Sequence, residues 1–139
     1  MTAAAALGRL ARDVARFADD WPRHGAEVAA DILRGELAAD GGGSFSNAPH
    51  MSARVEVRGG NGEAAAVGVG GGWTWLQHGT EAHTVTGTGP RGLLRTPYGP
   101  RRTVNVAGMD AKGTWTRGAG RAVDAARKDA GTAFARAVG

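Results

Sequence analysis

Leu7, Leu10, Val14, Phe17 and Trp21 recur at steps of three and four residues. That spacing predicts an amphipathic helix with one apolar stripe. Pro22 interrupts the pattern, and Val28, Ile32 and Leu37 resume it from about His24 to Ala39. Residues 1–40 are therefore expected to be helical, as one helix kinked at Pro22 or as two. Gly41-Gly42-Gly43 closes the region, and Ser44 to His50 reads as a loop with a turn at Asn47-Ala48-Pro49. The period then changes from about 3.6 to 2. Val55 and Val57 alternate with Arg54, Glu56 and Arg58, the pattern of a half-buried strand. Gly59-Gly60-Asn61-Gly62 predicts a hairpin turn, and Val67 and Val69 mark the return strand. After a glycine-rich loop from Gly87 to Gly92, Leu93 and Leu94 begin another extended stretch. Pro97-Tyr98-Gly99-Pro100 turns the chain, and Thr103-Val104-Asn105-Val106 returns it. A last helix is expected over 114–138. Trp115, Ala119, Ala122, Val123, Ala126, Ala130, Ala133 and Phe134 fall mostly on one face, with Thr114 or Thr116 as its cap.

The expected architecture is thus an α+β domain spanning 1–139. Its sheet region, over 52–106, is small and mainly antiparallel, with four or five strands, and helices at both chain ends cover one face. Composition weakens the expected core. Glycine takes 24 of the 139 positions, and alanine, which buries little area, dominates the apolar set. Modest intrinsic stability with oligomerisation as a supplement follows. The chain has no cysteine, which excludes disulfides and thiolate metal sites. No apolar run approaches the roughly 20 residues of a membrane span, and the start, from Met1 to Leu10, lacks the layout of a signal peptide. A cytoplasm, or a particle assembled in one, is the expected setting.

Net charge is +4 and unevenly placed. Residues 1–40 carry five arginines against seven acids. Between Glu81 and Asp110 there is no acid, while Arg91, Arg95, Arg101 and Arg102 all lie there. These four arginines flank a hairpin with Tyr98 at its tip. Such an arm suits an acidic protein neighbour or nucleic acid, where arginine follows phosphates and tyrosine stacks on a base. A solvated basic face has the same composition.

Catalytic and metal chemistry find little footing. His78 and His83 stand five apart around Glu81, a spacing that fits neither helix nor strand ligand patterns. A metal would need His24, His50 or a distant acid as a further ligand. Ser44, Ser46 and Ser52 lack a nucleophile-elbow pattern, and Asp19-Asp20 is expected to be solvated. Gly68-Val69-Gly70-Gly71-Gly72 lacks the lysine of a phosphate loop and the helix of a dinucleotide fingerprint, so it reads as a hairpin end. No catalytic, cofactor or metal residues are nominated.

The segment Gly72-Trp73-Thr74-Trp75-Leu76-Gln77-His78-Gly79-Thr80-Glu81-Ala82-His83-Thr84-Val85 stands apart from this plain background. Read as extended, it puts Trp73 and Trp75 on one face and Thr74 and Leu76 on the other, with Gly79-Thr80 as the turn into the next strand. Two tryptophans on one face serve as core or as interface anchors. From Trp75 to Val85 the segment resembles the head–tail joining, or tail-completion, proteins of the phage neck. Their pattern is an aromatic or apolar pair, a polar residue or two, Gly-Thr, two variable residues, His and an apolar end. The resemblance extends through Leu93–Val106, the Ala107-Gly108-Met109 loop and a closing helix, with a leading helix as in the family. This chain has Val106-Ala107-Gly108 where many members have His-Pro-Gly, and Thr114-Trp115 where many have Pro-Phe. The resemblance implies a structural virion protein assembled in a host cytoplasm, with no catalytic task and no cofactor. It implies a ring, six being the expected number of copies, between head-connector and tail proteins around the phage DNA. Trp73, Trp75, His78, Gly79, Thr80, His83 and Trp115 would then serve assembly, and Arg91, Arg95, Arg101 and Arg102 would face DNA or an acidic partner. Two alternatives stand beside it: a tail terminator, and a basic nucleic-acid-binding module that uses the Arg91–Arg102 hairpin.

Overall fold

A computed structural model describes residues 2–45, 51–96 and 98–139. The expected turn at Asn47-Ala48-Pro49, together with Ser46 and His50, lies outside the described residues, as does Pro97 of the later turn. The chain opens with α1, Ala3–Ala39, one helix of 37 residues that continues without a break through Pro22. Proline lacks an N–H and costs one helical hydrogen bond, but the stripe on either side is long enough to carry the helix past it. Thr2 caps the start, its hydroxyl accepting from the Ala5 amide at 3.1 Å. Asp40 and the three glycines end it as expected, with Gly41, Gly42 and Gly43 all at positive φ. Gly43 must be glycine: its φ is +77°, and a Cβ there would stand 2.2 Å from the Ala53 carbonyl oxygen. That close approach lets the Ala53 amide donate to Gly43 at 3.0 Å and starts the first strand beside the end of α1.

The strands are β1 (Arg54–Gly60), β2 (Glu63–Val69), β3 (His83–Thr86) and β4 (Thr103–Val106). They form two antiparallel pairs, β1–β2 and β3–β4, in place of one continuous sheet. The reason is α2, Gly72–His78, a helix that carries the chain away from β2 before β3 begins. The β1–β2 pair runs from Arg54 opposite Val69 to Gly60 opposite Glu63, turning at Asn61-Gly62 as the sequence predicts. Val55 is buried on its inner face. On the outer face Glu56 accepts from Arg54 and Arg58, each at 3.0 Å.

The last element, α3 (Thr114–Val138), lies antiparallel along α1. Partners step in opposite senses along the two helices: Glu36 meets Arg117 and Arg121, Trp21 meets Asp129, and Phe17 meets Phe134. The outcome is α+β with helices at both chain ends, and α1 packs on both the β1–β2 pair and α3. Two small clusters form the core. One gathers Ala30, Leu33, Val55 and Ala122, and the other gathers Leu37, Ala53 and Leu76. Trp73 packs against both. Among the described residues, half of the eight buried apolar side chains are alanines, so three leucines and Val55 carry most of the buried area.

Candidate assembly surface

The tryptophan segment is the helix α2, and this corrects the extended reading. Helical geometry puts residues three apart on one side, so Trp73 and Leu76 reach the core together. In a strand they would oppose each other, and Leu76, only 2 % exposed, would leave the core. The two tryptophans consequently separate. Trp73 stands edge-on to Trp115 at 5.3 Å between ring centres and donates its indole N–H to the Arg54 carbonyl at 2.9 Å. Trp75 meets Phe45 at 5.2 Å instead.

Gln77 joins α2 to α3. Its amide donates to the Thr116 hydroxyl at 2.6 Å, and its carbonyl oxygen accepts the Thr116 backbone N–H at 3.2 Å. The start of α3 is thus capped by Gln77. Thr114 and Thr116 do not cap it: Gly113 takes the cap position, and the buried Thr114 hydroxyl donates to Asp40 at 2.6 Å. The Gly79 amide closes α2 on the Trp75 carbonyl at 2.7 Å. Thr80 then pairs with Met109 through two backbone bonds of 2.8 and 2.9 Å, which makes Gly79-Thr80 the turn at the root of the next strand.

Trp73, His78 and Trp115 come together with Gly68 in a shallow groove of about 420 Å³. Trp75, Gly79, Thr80 and His83 lie elsewhere. His83 is exposed on β3, its ring Nδ1 donating to the Glu81 carbonyl at 3.1 Å. Among the described residues no group of three histidines and acids is placed to hold a metal.

Beyond the Thr80–Met109 pair the chain runs out as an arm. β3 and β4 pair from His83 opposite Val106 to Thr86 opposite Thr103, and Leu94 pairs again with Arg101 nearer the tip. Every residue of β3 is exposed. Arg91, Arg95, Arg101 and Arg102 are all exposed, and none makes an ion pair among the described residues. Tyr98 is 86 % exposed at the tip. A two-stranded ribbon with no supporting layer is marginal in water. No helix among the described residues is long and apolar enough to cross a membrane.

Two polar clusters were not foreseen. Glu36 accepts from Arg117 at 2.7 Å and from Arg121, and Asp40 accepts from Arg117 at 2.5 Å. At the other end of the helix pair, Asp129 accepts the Trp21 indole N–H at 2.9 Å and pairs with His24. The Arg117 hydrogen bond holds the Glu36 carboxyl below its ordinary range, and the Thr114 hydroxyl does so for Asp40. The Trp21 indole has the same effect on Asp129. Their spacing gave a faint signal, since Glu36/Asp40 and Arg117/Arg121 are both i, i+4 pairs of opposite sign.

Depressed carboxyl values fix the direction of a pH effect. The stability these contacts add is complete above the unfolded carboxyl values, near pH 4, and is lost as pH falls through the lower folded ones. Urea midpoints are therefore expected to drop as pH is lowered from 5 to 3. Glu36→Gln should lower the midpoint at pH 7 and flatten the acid decline. An unchanged pH profile in that variant would remove the cluster from the account of stability. No family model, characterised protein or solved structure matches the chain.

Proposed function

We propose that this chain is a structural subunit of a phage neck, forming a ring that joins the head connector to the tail around the DNA path. Six copies are the expected number, and the subunit performs no catalysis. The arm is the observation that carries the reading. A ribbon with an exposed strand, and, among the described residues, four arginines outside any ion pair and no layer of core beneath it, is built for something outside the subunit. The resemblance from Trp75 to Val85 supplies the class of assembly. Alanine-faced helices and a thin core fit a subunit whose stability is completed by neighbours.

The test is genetic and visual. Particles lacking the chain should accumulate filled heads and separate tails, and added purified protein should join them. Electron microscopy of labelled particles should place it between the portal and the first tail ring. A position one ring further down would identify a tail terminator instead. Normal joined particles without the chain would end the reading.

Nucleic-acid binding is the second reading, favoured by the exposed Arg101, Arg102 and Tyr98. It requires duplex binding that weakens steeply with salt, with a log–log slope of about −0.9 per phosphate contacted.

A further inference from the structure

Exposed large apolar side chains are not scattered over this molecule. Leu7, Leu10, Val14 and Phe134 lie toward one end of the α1–α3 pair, while Val85, Leu93 and Tyr98 lie on the arm. Of the remaining described residues only Val123 is in the same class. The arm springs from the opposite end, where α1 finishes and α3 begins: Thr80 pairs with Met109, Lys112 donates to Leu76, and Thr114 donates to Asp40. From Thr114 to Phe134 the helix rises about 30 Å at 1.5 Å per residue. The two apolar patches therefore sit at opposite ends of the subunit.

The far end is open because the helices differ in length. α3 finishes at Val138, one residue past Ala137, which lines a cleft together with Asp13, and α1 runs on to Ala3 without it. Leu7, at 66 % exposure, and Leu10 extend the Phe17–Trp21 stripe past that point, with Val14 at its edge. Just before that point the two helices border this cleft of about 360 Å³, with Ala133 and Ala137 of α3 on one side and the stacked rings of Phe17 and Trp21, 5.9 Å between centres, on the other. Asp13 and Asp20 border it, together with Arg16 and His24. Asp20 makes no ion pair among the described residues, and Asp13 has only a loose one to Arg9 at 3.9 Å. On the helical wheel the two acids lie along one edge of the apolar stripe, and Arg9, Arg16 and Arg12 follow farther round on that same side, Arg16 still reaching the cleft. Aromatic faces beside carboxylates suit a guanidinium, which stacks and accepts a fork of hydrogen bonds.

We infer that the arm of one copy docks on the open α1–α3 end of the next, its arginines meeting the Asp13–Asp20 rim and its apolar residues covering the Leu7–Val14 stripe. The occupant is a second copy of this chain. Arm and receptor are different surfaces at opposite ends, which is the arrangement that builds heterologous rings or filaments. The arm, residues 83–106, is about 24 residues, within the ~20–30 that one side of a stable interface uses. This rests on the ring reading only in needing copies to meet, and it names the contact.

Charge reversal tests it on the full chain, with circular dichroism as the check on folding. Arg101→Glu/Arg102→Glu alters only the arm, and Asp13→Arg/Asp20→Arg alters only the receptor. By sedimentation velocity the unaltered chain should self-associate, and each variant should do so about tenfold or more weakly. An equimolar mixture of the two should regain association, because every arm then meets a rim of opposite sign. Variants that assemble like the unaltered chain, or a mixture that stays apart, would overturn the contact and leave the ring to be made elsewhere. An unaltered chain that stays monomeric also overturns it, while the particle experiment still decides the neck role. Binding of a 30-base-pair duplex abolished by the arm variant, with self-association intact, would hand the arginines to nucleic acid.

Discussion

Leu33→Ala should lower stability by about 2–5 kcal/mol, the range for truncating a buried leucine. The loss is large here because so little else holds the core. Leu33 is 3 % exposed and joins α1 to Val55 of β1 and Ala122 of α3. It also fills a notch on α3: a Cβ at Gly118 would stand 2.9 Å from its Cδ2. Neighbouring alanines are too short to close the void left behind, so relaxation recovers little. Against the 5–15 kcal/mol typical of a domain, that is a substantial share. Thermal melts should show Tm falling by roughly 10 °C. Leu7→Ala, on the exposed end of the same helix, should change stability by no more than ~0.5 kcal/mol. Gly118→Ala should harm the native protein yet cost less, or help, in the Leu33→Ala background, since both act on one space. Equal melting of the two leucine variants would refute this account of the core.

The sequence announced most of the elements because their signals are local. The Leu7–Trp21 stripe, the Gly41–Gly43 stop, the Val55/Val57 alternation and the Asn61-Gly62 turn each lie within one element or its edge. The sequence does not disclose α2, because seven residues are too few for a period to speak. Tertiary burial decided it: Leu76 enters the core beside Trp73 only if the backbone is helical. With α2 between them, β2 and β3 do not pair, and the expected sheet splits in two. The candidate surface was legible in part. The acid-free run around Arg91–Arg102 marks an arm by composition alone. The cleft inferred to receive it, at Phe17, Trp21 and Asp20, is not legible in the sequence, because it forms only where Ala133 and Ala137 of α3 come to lie beside α1. The Glu36–Arg117 cluster likewise depends on helices 81 residues apart in the chain lying antiparallel.

Gly79→Ala is the second substitution with a large expected effect, and it acts on the root of the arm. Gly79 has φ 73° and ψ −176°, a backbone region held almost only by glycine. Strain there is worth about 1–3 kcal/mol. A methyl group adds a collision, since a Cβ would lie 2.4 Å from the Met109 carbonyl oxygen and 2.7 Å from the Ala111 nitrogen. Both are backbone atoms and cannot swing aside, so the Thr80–Met109 pair must open. Gly89→Ala provides the comparison: its φ is +95°, and nothing lies within 4 Å of a Cβ there. Both variants carry a φ penalty, but only Gly79→Ala carries the collision. Amide exchange at Thr80 and Met109 should quicken about tenfold or more in Gly79→Ala and stay as it was in Gly89→Ala, because the pair opens locally. If the arm docks on a neighbouring copy, Gly79→Ala should also weaken self-association while leaving every arginine in place. Charge would then be necessary for that contact and insufficient for it: the arm must also leave its root in the direction Gly79 sets. Equal exchange in the two variants would show that the root tolerates a side chain and that the direction of the arm does not depend on Gly79.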